Sequence, residues 1–405
     1  MSSILEEYLE FVTYGFTNPM PDAEFGPWKI TAKDVIDGEI NFETARKTTL
    51  SAFKNDLTDK SRPKVGDVLL TKDGTLGRLA LVDREDICVN QSVAVLRPNK
   101  KILPEYLFYL LSSPKYQTQM IGDSDGSVIK HIYITRVGKM IVEIPSINIQ
   151  RKIVDQLFVL DNKIKLNRQT NQTLEQIAQA IFQSWFVDFD PVRAKKEKRD
   201  TGLPPHIADL FPDEFVGSEL GMIPKGWEVR KLGEIADVNW GDTKTTKSAY
   251  VPQGYLAYSA TGPDGFLEKF DFDQTGVVVS AIGANAGKTW LAYGRWSCIK
   301  NTIRMWSTDQ RISTEYLYNA TRERNIWPLR GSAQPFISQA DARAIRINVP
   351  KDNLATYYGL LVEKLYLKMK SLDEENGKLS QLRDELLPKL LSGEISLNYE
   401  ILEGQ

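Results

Sequence analysis

The feature that most constrains this chain is an internal repeat. Residues Gly66-Asp67-Val68-Leu69-Leu70-Thr71-Lys72-Asp73-Gly74-Thr75-Leu76-Gly77-Arg78 align without gaps on Gly276-Val277-Val278-Val279-Ser280-Ala281-Ile282-Gly283-Ala284-Asn285-Ala286-Gly287-Lys288, an offset of 210 residues. The same offset sets Cys88 on Cys298 and Glu105-Tyr106-Leu107 on Glu315-Tyr316-Leu317. Further on, Gly126-Ser127 meets Gly331-Ser332 and Ile144-Pro145 meets Val349-Pro350 at an offset of 205, so five residues have been lost between. One shift covering several separated matches means one domain built twice. With 405 residues, too many for a single ordinary core, each half is expected to fold around its own. Upstream of Gly66 the halves diverge, leaving loose echoes such as Ile30-Thr31-Ala32 against Tyr258-Ser259-Ala260.

Within the repeat, apolar stretches at Asp67 to Leu70, Ala80 to Val82 and Val93 to Leu96, bounded by Gly, Asp or Asn, read as short strands. Pro104 to Ser112 reads as a helix opening on proline, whose missing N–H is no loss in a first turn. The fold class is therefore α+β. After each domain the pattern changes to steps of four and three: Ile153, Leu157, Leu160, Ile164, Asn167, Asn171, Leu174, Ala178, Ile181 and Trp185. This is a coiled-coil seam. A shift of 205 gives Tyr358, Val362, Leu365, Met369, Leu372, Asn376, Leu379, Arg383, Leu386 and Leu390, with Gly377 and Pro388 as irregularities. Two long antiparallel helices are expected to pair along these seams, each buried Leu or Ile contributing about 1.5–3 kcal/mol. The alternative is that each helix packs only on its own domain. Asn171 and Asn376 hold equivalent positions near the seam midpoints, where a buried Asn weakens packing but fixes register. They are expected to lie close together across a pseudo-twofold axis.

Composition narrows the function classes. Hydrophobic residues at 42% and charged residues at 26% describe packed globular domains. No basic, then apolar, leader opens the sequence, and no apolar run of about 18 residues is present to span a bilayer, so a cytoplasmic protein without membrane contact is expected. Two cysteines and two histidines, His131 and His206, are too few for a disulfide framework or a metal centre. A net charge of -2 argues mildly against nucleic acid. The objection weakens if Lys and Arg are gathered on one groove-facing strip, so local charge is the relevant quantity.

Four motifs then follow in order: Trp185-Phe186-Val187-Asp188-Phe189-Asp190-Pro191-Val192-Arg193-Ala194-Lys195, Ile223-Pro224-Lys225-Gly226-Trp227 with Leu232-Gly233-Glu234-Ile235, Gly331-Ser332-Ala333-Gln334-Pro335-Phe336-Ile337, and Leu386-Leu387-Pro388-Lys389-Leu390-Leu391-Ser392-Gly393-Glu394-Ile395. The set resembles the specificity subunits of type I restriction-modification enzymes. The first half departs from the pattern, lacking an Ile-Pro-x-Gly-Trp opening and reading Gly126-Ser127-Val128-Ile129-Lys130-His131-Ile132 in its loop. The resemblance implies a non-catalytic reader of double-stranded DNA, bound through its helices to two methyltransferase subunits and joined by motor-nuclease restriction subunits. It places S-adenosylmethionine, ATP and Mg on those partners and no cofactor or metal on this chain. It also implies two target-recognition domains, at 1–145 and 223–350, helical spacers at 146–190 and 351–393, a linker at 191–222 and a tail at 394–405. From Ile153 to Trp185 a helix rises about 48 Å at 1.5 Å per residue. An antiparallel pair with a domain at each end would reach successive major grooves, about 34–36 Å apart. The expected target is bipartite and asymmetric, with about 5–8 bp unread between its halves, and the divergent parts of the two domains would read the different half-sites.

Candidate contact residues come from the turns and loops. Gly283-Ala284-Asn285-Ala286-Gly287-Lys288-Thr289 suggests a phosphate cradle, yet its glycines enclose three residues where that motif needs four, and Asp73 to Arg78 lacks Gly-Lys-Thr altogether. A glycine-permitted turn is the better reading. It would bring Asn285, Lys288 and Thr289 to DNA, with Lys72, Thr75 and Arg78 as counterparts, or simply face solvent. Lys130 and His131, against Gln334 and Ser338, either contact bases and phosphates or cap local backbone. Lys244, Lys247 and Tyr250 in the divergent part are similar candidates. The basic run Arg193, Lys195, Lys196, Lys198 and Arg199 is either solvated or phosphate-directed. No catalytic constellation is visible. The competing classes are an NTP-using enzyme and a DNA-binding regulator that acts without partners.

Overall fold

The computed structural model describes residues 2–122 and 131–395. The chain forms two compact units. Described residues of Met1–Asn167 and Glu374–Gln405 make the first, and Arg168–Asp373 makes the second. Each unit therefore holds one α+β domain together with a stretch of both long helices.

In the first unit, four antiparallel strands lie in the order Leu9–Tyr14, Val93–Pro98, Val68–Thr71 and Leu79–Leu81. Val68, Leu69 and Leu70 are all fully buried, so this central strand is covered on both faces. Successive side chains point to opposite faces. Val68 and Leu70 join Ala94 and Leu96 in one core with Tyr106, Leu107 and Leu110 of helix Pro104–Ser112 and with Ile153 and Leu157. Leu69 joins Val93 and Val95 in another, against Ile30, Ile87 and Val89. These last come from a small second sheet in which Ala23–Ile30 runs parallel to Ile87–Val89.

The second unit builds the same arrangement. Its strands run Ala236–Trp240, Thr302–Ser307, Gly276–Ser280 and Thr289–Ala292, again antiparallel. Val277 and Val279 pack with Ile303, Met305, Tyr316 and Leu317, while Val278 faces Tyr258, Trp296 and Cys298. Tyr255–Ser259 runs parallel to Arg295–Cys298, pairing Tyr258 with Cys298 as Ile30 pairs with Val89 in the first unit. The faint echo between residues 30 and 258 thus marks equivalent strands. Cys88 and Cys298 are buried and free, and burial pushes both thiols up to about 12. They serve as small core residues, not nucleophiles.

The long helices are Ile147–Phe182 and Leu354–Ser392. In the first unit Arg383 Nη1 donates to Asp161 Oδ1 at 2.9 Å, and Asn167 Nδ2 donates to Glu375 Oε2 at 2.9 Å and Asn376 Oδ1 at 3.0 Å. In the second, Asn171 Nδ2 donates to Asp373 Oδ1 at 2.7 Å and Tyr358 Oη to the Ala178 carbonyl at 3.1 Å. Rising numbers on one helix meet falling numbers on the other, so the pairing is antiparallel. Ile153, Leu157, Ile164, Val362, Leu372 and Leu390 are buried, and Leu160, Leu174, Ile181, Leu365, Met369, Leu379 and Leu386 are half-buried. Each helix also packs on the domain that precedes it, as Tyr109 Oη donates to Asp161 Oδ2 at 2.6 Å and Tyr366 meets Asn319. The two packing modes are thus combined.

Two expectations are corrected here. The amide facing Asn376 belongs to Asn167, one turn before Asn171. The repeat equivalent of that contact sets Asn171 against Leu372, which offers no amide, and Asn171 turns to Asp373 instead. The heptad run also does not reach Trp185 as regular helix, because Gln183–Val187 forms a π-turn. The widened turn buries the adjacent rings of Trp185 and Phe186 together. Trp185 meets Phe211 at 5.4 Å between ring centres, and Phe186 meets Tyr316 at 4.9 Å and Tyr358 at 5.3 Å.

Residues 191–222, marked in the sequence by prolines as a linker, are structured within the second unit. Helix Asp190–Lys196 and the hairpin Phe215–Ser218 with Gly221–Pro224 frame buried Val192 and Phe211. The apolar residues between the prolines supply packing that punctuation alone does not reveal. Leu157→Ala is expected to lower unfolding free energy by about 2–5 kcal/mol, whereas Val159→Ala, at a position 67% exposed on the same helix, should stay within about 0.5 kcal/mol. Urea unfolding followed by circular dichroism checks both.

Candidate nucleic-acid interface

In the first unit the central strand ends at Thr71 and the chain leaves the sheet through Lys72 and Asp73. Residues 131 and 132 are stitched to this exit, with Ile132 N–H donating to the Lys72 carbonyl at 2.9 Å and an antiparallel bridge joining Asp73 to His131. The Asp73 carboxylate accepts from His131 Nδ1 at 2.5 Å and from Lys72 Nζ at 2.6 Å. Burial opposes ionisation of Asp73, but the hydrogen bonds from His131 and Lys72 outweigh it and hold its pKa below the ordinary carboxylate value. Lys72 also lies over the exposed Tyr14 ring at 5.4 Å. Thr75 and Arg78 are exposed in the turn, Arg78 Nη1 donating to the Val35 carbonyl at 3.3 Å. Lys130 lies outside the described residues.

In the second unit the corresponding turn has Gly283 at φ +90° and Gly287 at φ +88°, left-handed conformations that favour glycine. Ala286 N–H donates to Gly283, Gly287 N–H to Ser280 and Lys288 N–H to Asn285, all at 2.9 Å. These donors are consumed inside the turn and form no phosphate cradle. The loop 331–337 meets the turn, Gly283 N–H donating to the Pro335 carbonyl at 2.8 Å and Phe336 bridging to Ile282. Lys288 and Gln334 are exposed, Asn285 is half-buried, and Thr289 lies in the following strand, paired with Val279. Ser338 caps the helix Gln339–Ala344, accepting from Asp341 N–H at 3.1 Å. That is the local capping alternative, and it occupies the hydroxyl.

Lys247 and Tyr250 converge on Asp264. Lys247 Nζ donates to its Oδ2 at 2.5 Å and Tyr250 Oη to its Oδ1 at 2.8 Å, while Ser259 and Thr261 add their hydroxyls. Burial works against the Asp264 charge, but these donors prevail and lower its pKa to about 2. Lys244 is exposed on the loop before this cluster. The basic run is mostly engaged locally: Lys195 Nζ donates to the carbonyls of Ala208 and Phe211, Arg193 Nε donates to the Asp188 carbonyl, and Arg199 pairs with Glu197.

Sequence reasoning passed over Tyr14, Asp73, Asp264 and Phe336. Phe336 carried a signal, since the offset of 205 sets it on His131. Tyr14 lies in the diverged segment, where the repeat offers no guide. Among the described residues no helix is long and apolar enough to cross a membrane, and no group of three or more His, Cys, Asp or Glu side chains is placed to hold a metal ion.

A chain that builds one α+β domain twice, each joined to paired long helices, is a duplicated recognition scaffold in architecture. The family model of the type I restriction-modification DNA specificity domain matches it twice, at residues 26–176 and 224–354. The chain is 31% identical to the specificity subunit of the type I restriction enzyme HindI of Haemophilus influenzae, over 83% of its own length and 88% of the relative's. It is 24% identical to the MjaIX specificity subunit of Methanocaldococcus jannaschii, over 91% and 86% of the two chains. A crystal structure of the type I S subunit from M. genitalium superposes with a TM-score of 0.54 at 16% identity, covering 96% of this chain and 95% of that one. This chain belongs to the type I restriction-modification specificity family, and its part is DNA target recognition, not catalysis.

Because the Asp264 carboxyl titrates at about 2 when folded and at about 3.9 when unfolded, its stabilising contribution is complete above about pH 4 and is lost as pH falls through 2. Asp264→Asn should melt below the parent at pH 7, with the gap narrowing from about pH 4 towards pH 2. Thermal melts across this range test it, and a gap independent of pH contradicts it.

Proposed function

We propose that this chain reads a bipartite, asymmetric target on double-stranded DNA, one half-site per domain, with about 5–8 unread base pairs between them. On that target it positions two methyltransferase subunits and the motor-nuclease restriction subunits. S-adenosylmethionine, ATP and Mg act on those partners, in the cytoplasm, and the chain itself holds none of them. Lys72, Thr75, Arg78, Lys130 and His131 are the contact candidates of the first domain; Lys244, Lys247, Tyr250, Asn285, Lys288, Thr289 and Gln334 are those of the second. The paired seams serve as the spacer that keeps the two half-sites at a constant separation.

The observation that carries this reading is one sheet built twice with unlike side chains at the same exit. Lys72, Asp73 and His131 stand there in the first domain, and Ala281, Ile282 and Phe336 in the second. Equal scaffolds favour equal docking on DNA, and unlike surfaces favour unlike half-sites. Phosphate contacts set position without carrying sequence, so specificity must come from the residues that differ.

The test is to co-express the chain with its partner methyltransferase and map methylated adenines by sequencing. Two different half-sites separated by a constant gap are expected. A single uninterrupted motif, or methylation without sequence preference, overturns the reading.

A further inference from the structure

His131 and Phe336 are equivalent by the offset of 205 and by their place in the fold. In each unit the residue is bridged to a backbone position two past the end of the central strand: His131 to Asp73 beyond Val68–Thr71, and Phe336 to Ile282 beyond Gly276–Ser280. The His131 ring and the Phe336 backbone are both held in place. The His131 ring is fixed through Nδ1 on Asp73, whose other oxygen is taken by Lys72. The Phe336 backbone exchanges two hydrogen bonds with Arg330, at 2.8 and 2.9 Å. Yet both rings stay open to solvent, the His131 side chain at 44% and Phe336 at 40%. Among the described residues none meets His131 Nε2.

From this we infer that these positions are the base-reading residues of their domains, His131 through a hydrogen bond between Nε2 and a base edge and Phe336 through apolar contact with a thymine methyl. The inference rests on the DNA-reading function proposed above. With Nδ1 held by Asp73, Nε2 is the one ring nitrogen left for a ligand. In the major groove it accepts from the amino group of adenine or cytosine, or, when protonated, donates to guanine. A phenyl ring can do neither, and the base feature it matches is the thymine methyl. Two domains with the same docking surface would thus read opposite kinds of base edge at one equivalent step. Asp73 and Lys72 are positioning residues, since they orient the imidazole and leave base contact to it.

The experiment uses the full chain co-expressed with its partner methyltransferase, with methylated sites mapped for the parent, His131→Ala, His131→Gln, His131→Phe, Phe336→Ala and Asp73→Asn. His131→Ala should relax one base position in one half-site, raising methylation at sites that differ there about tenfold relative to the parent motif, and leave the other half-site unchanged. Phe336→Ala should relax a thymine position in the other half-site. His131→Gln, which keeps a hydrogen-bonding group, should restore selectivity, His131→Phe should shift the position towards thymine, and Asp73→Asn should loosen the same position as His131→Ala. Melting temperature and co-purification with the methyltransferase confirm that each variant is folded. If the parent shows a bipartite motif while both alanine variants keep it intact, or lose methylation uniformly at every position, this inference fails alone. A parent without a bipartite motif removes the broader reading as well.

Discussion

Each unit depends on covering a strand that is apolar on both faces. Val68, Leu69 and Leu70, like Val277, Val278 and Val279, are fully buried, and each such side chain contributes about 1.5–3 kcal/mol only while its face is sealed. One face is sealed by helices and the other by the small sheet with its parallel pair. The first requirement draws the long helices into the domain itself. Ile153 and Leu157 share a core with Leu387 and Leu390 in the first unit, and Val362 and Tyr366 share one with Val277 in the second. Domain and helix pair are thus one packed body within each unit. The second requirement is met mainly by sequence that differs between the halves, so the fold tolerates divergence where the apolar pattern of a short strand is kept.

The same strand sets the candidate interface. Its last residue hands the chain to a turn that is bridged to a distant loop, and this brings together groups that lie 58 residues apart in the case of Asp73 and His131. Three cations near these faces are held by carboxylates: Lys72 by Asp73, Lys247 by Asp264 and Arg330 by Asp341. A surface compensated in this way exerts little pull of its own on a phosphate backbone. It suits a chain whose part is target recognition, where discrimination comes from base contacts more than from charge.

Much of this was legible in the residues. The helix Pro104–Ser112 ends where its punctuation said it would, and the seam positions follow the heptad count, because both patterns are local and periodic. Misplaced details share a cause. Whether Asn167 or Asn171 faces Asn376 depends on the axial register of two helices that are 205 residues apart in the repeat. Whether Ser338 or Lys195 is available to a ligand depends on the backbone groups beside it, and both are occupied by Asp341 or by carbonyls. The π-turn at Gln183–Val187 answers to rings supplied by Phe211, Tyr316 and Tyr358, none of them near in sequence.

The amino-acid order by itself determined the duplication, the α+β character of each half, the long paired helices and the family, since all four are written as spacings along one chain. Tertiary structure decided which side chains stand at the exit of the central strand, how their charges are compensated, and which polar residues are already spent on local backbone. Those outcomes turn on distances of a few ångströms between segments that only folding brings together, and no pattern along the chain encodes a distance across it.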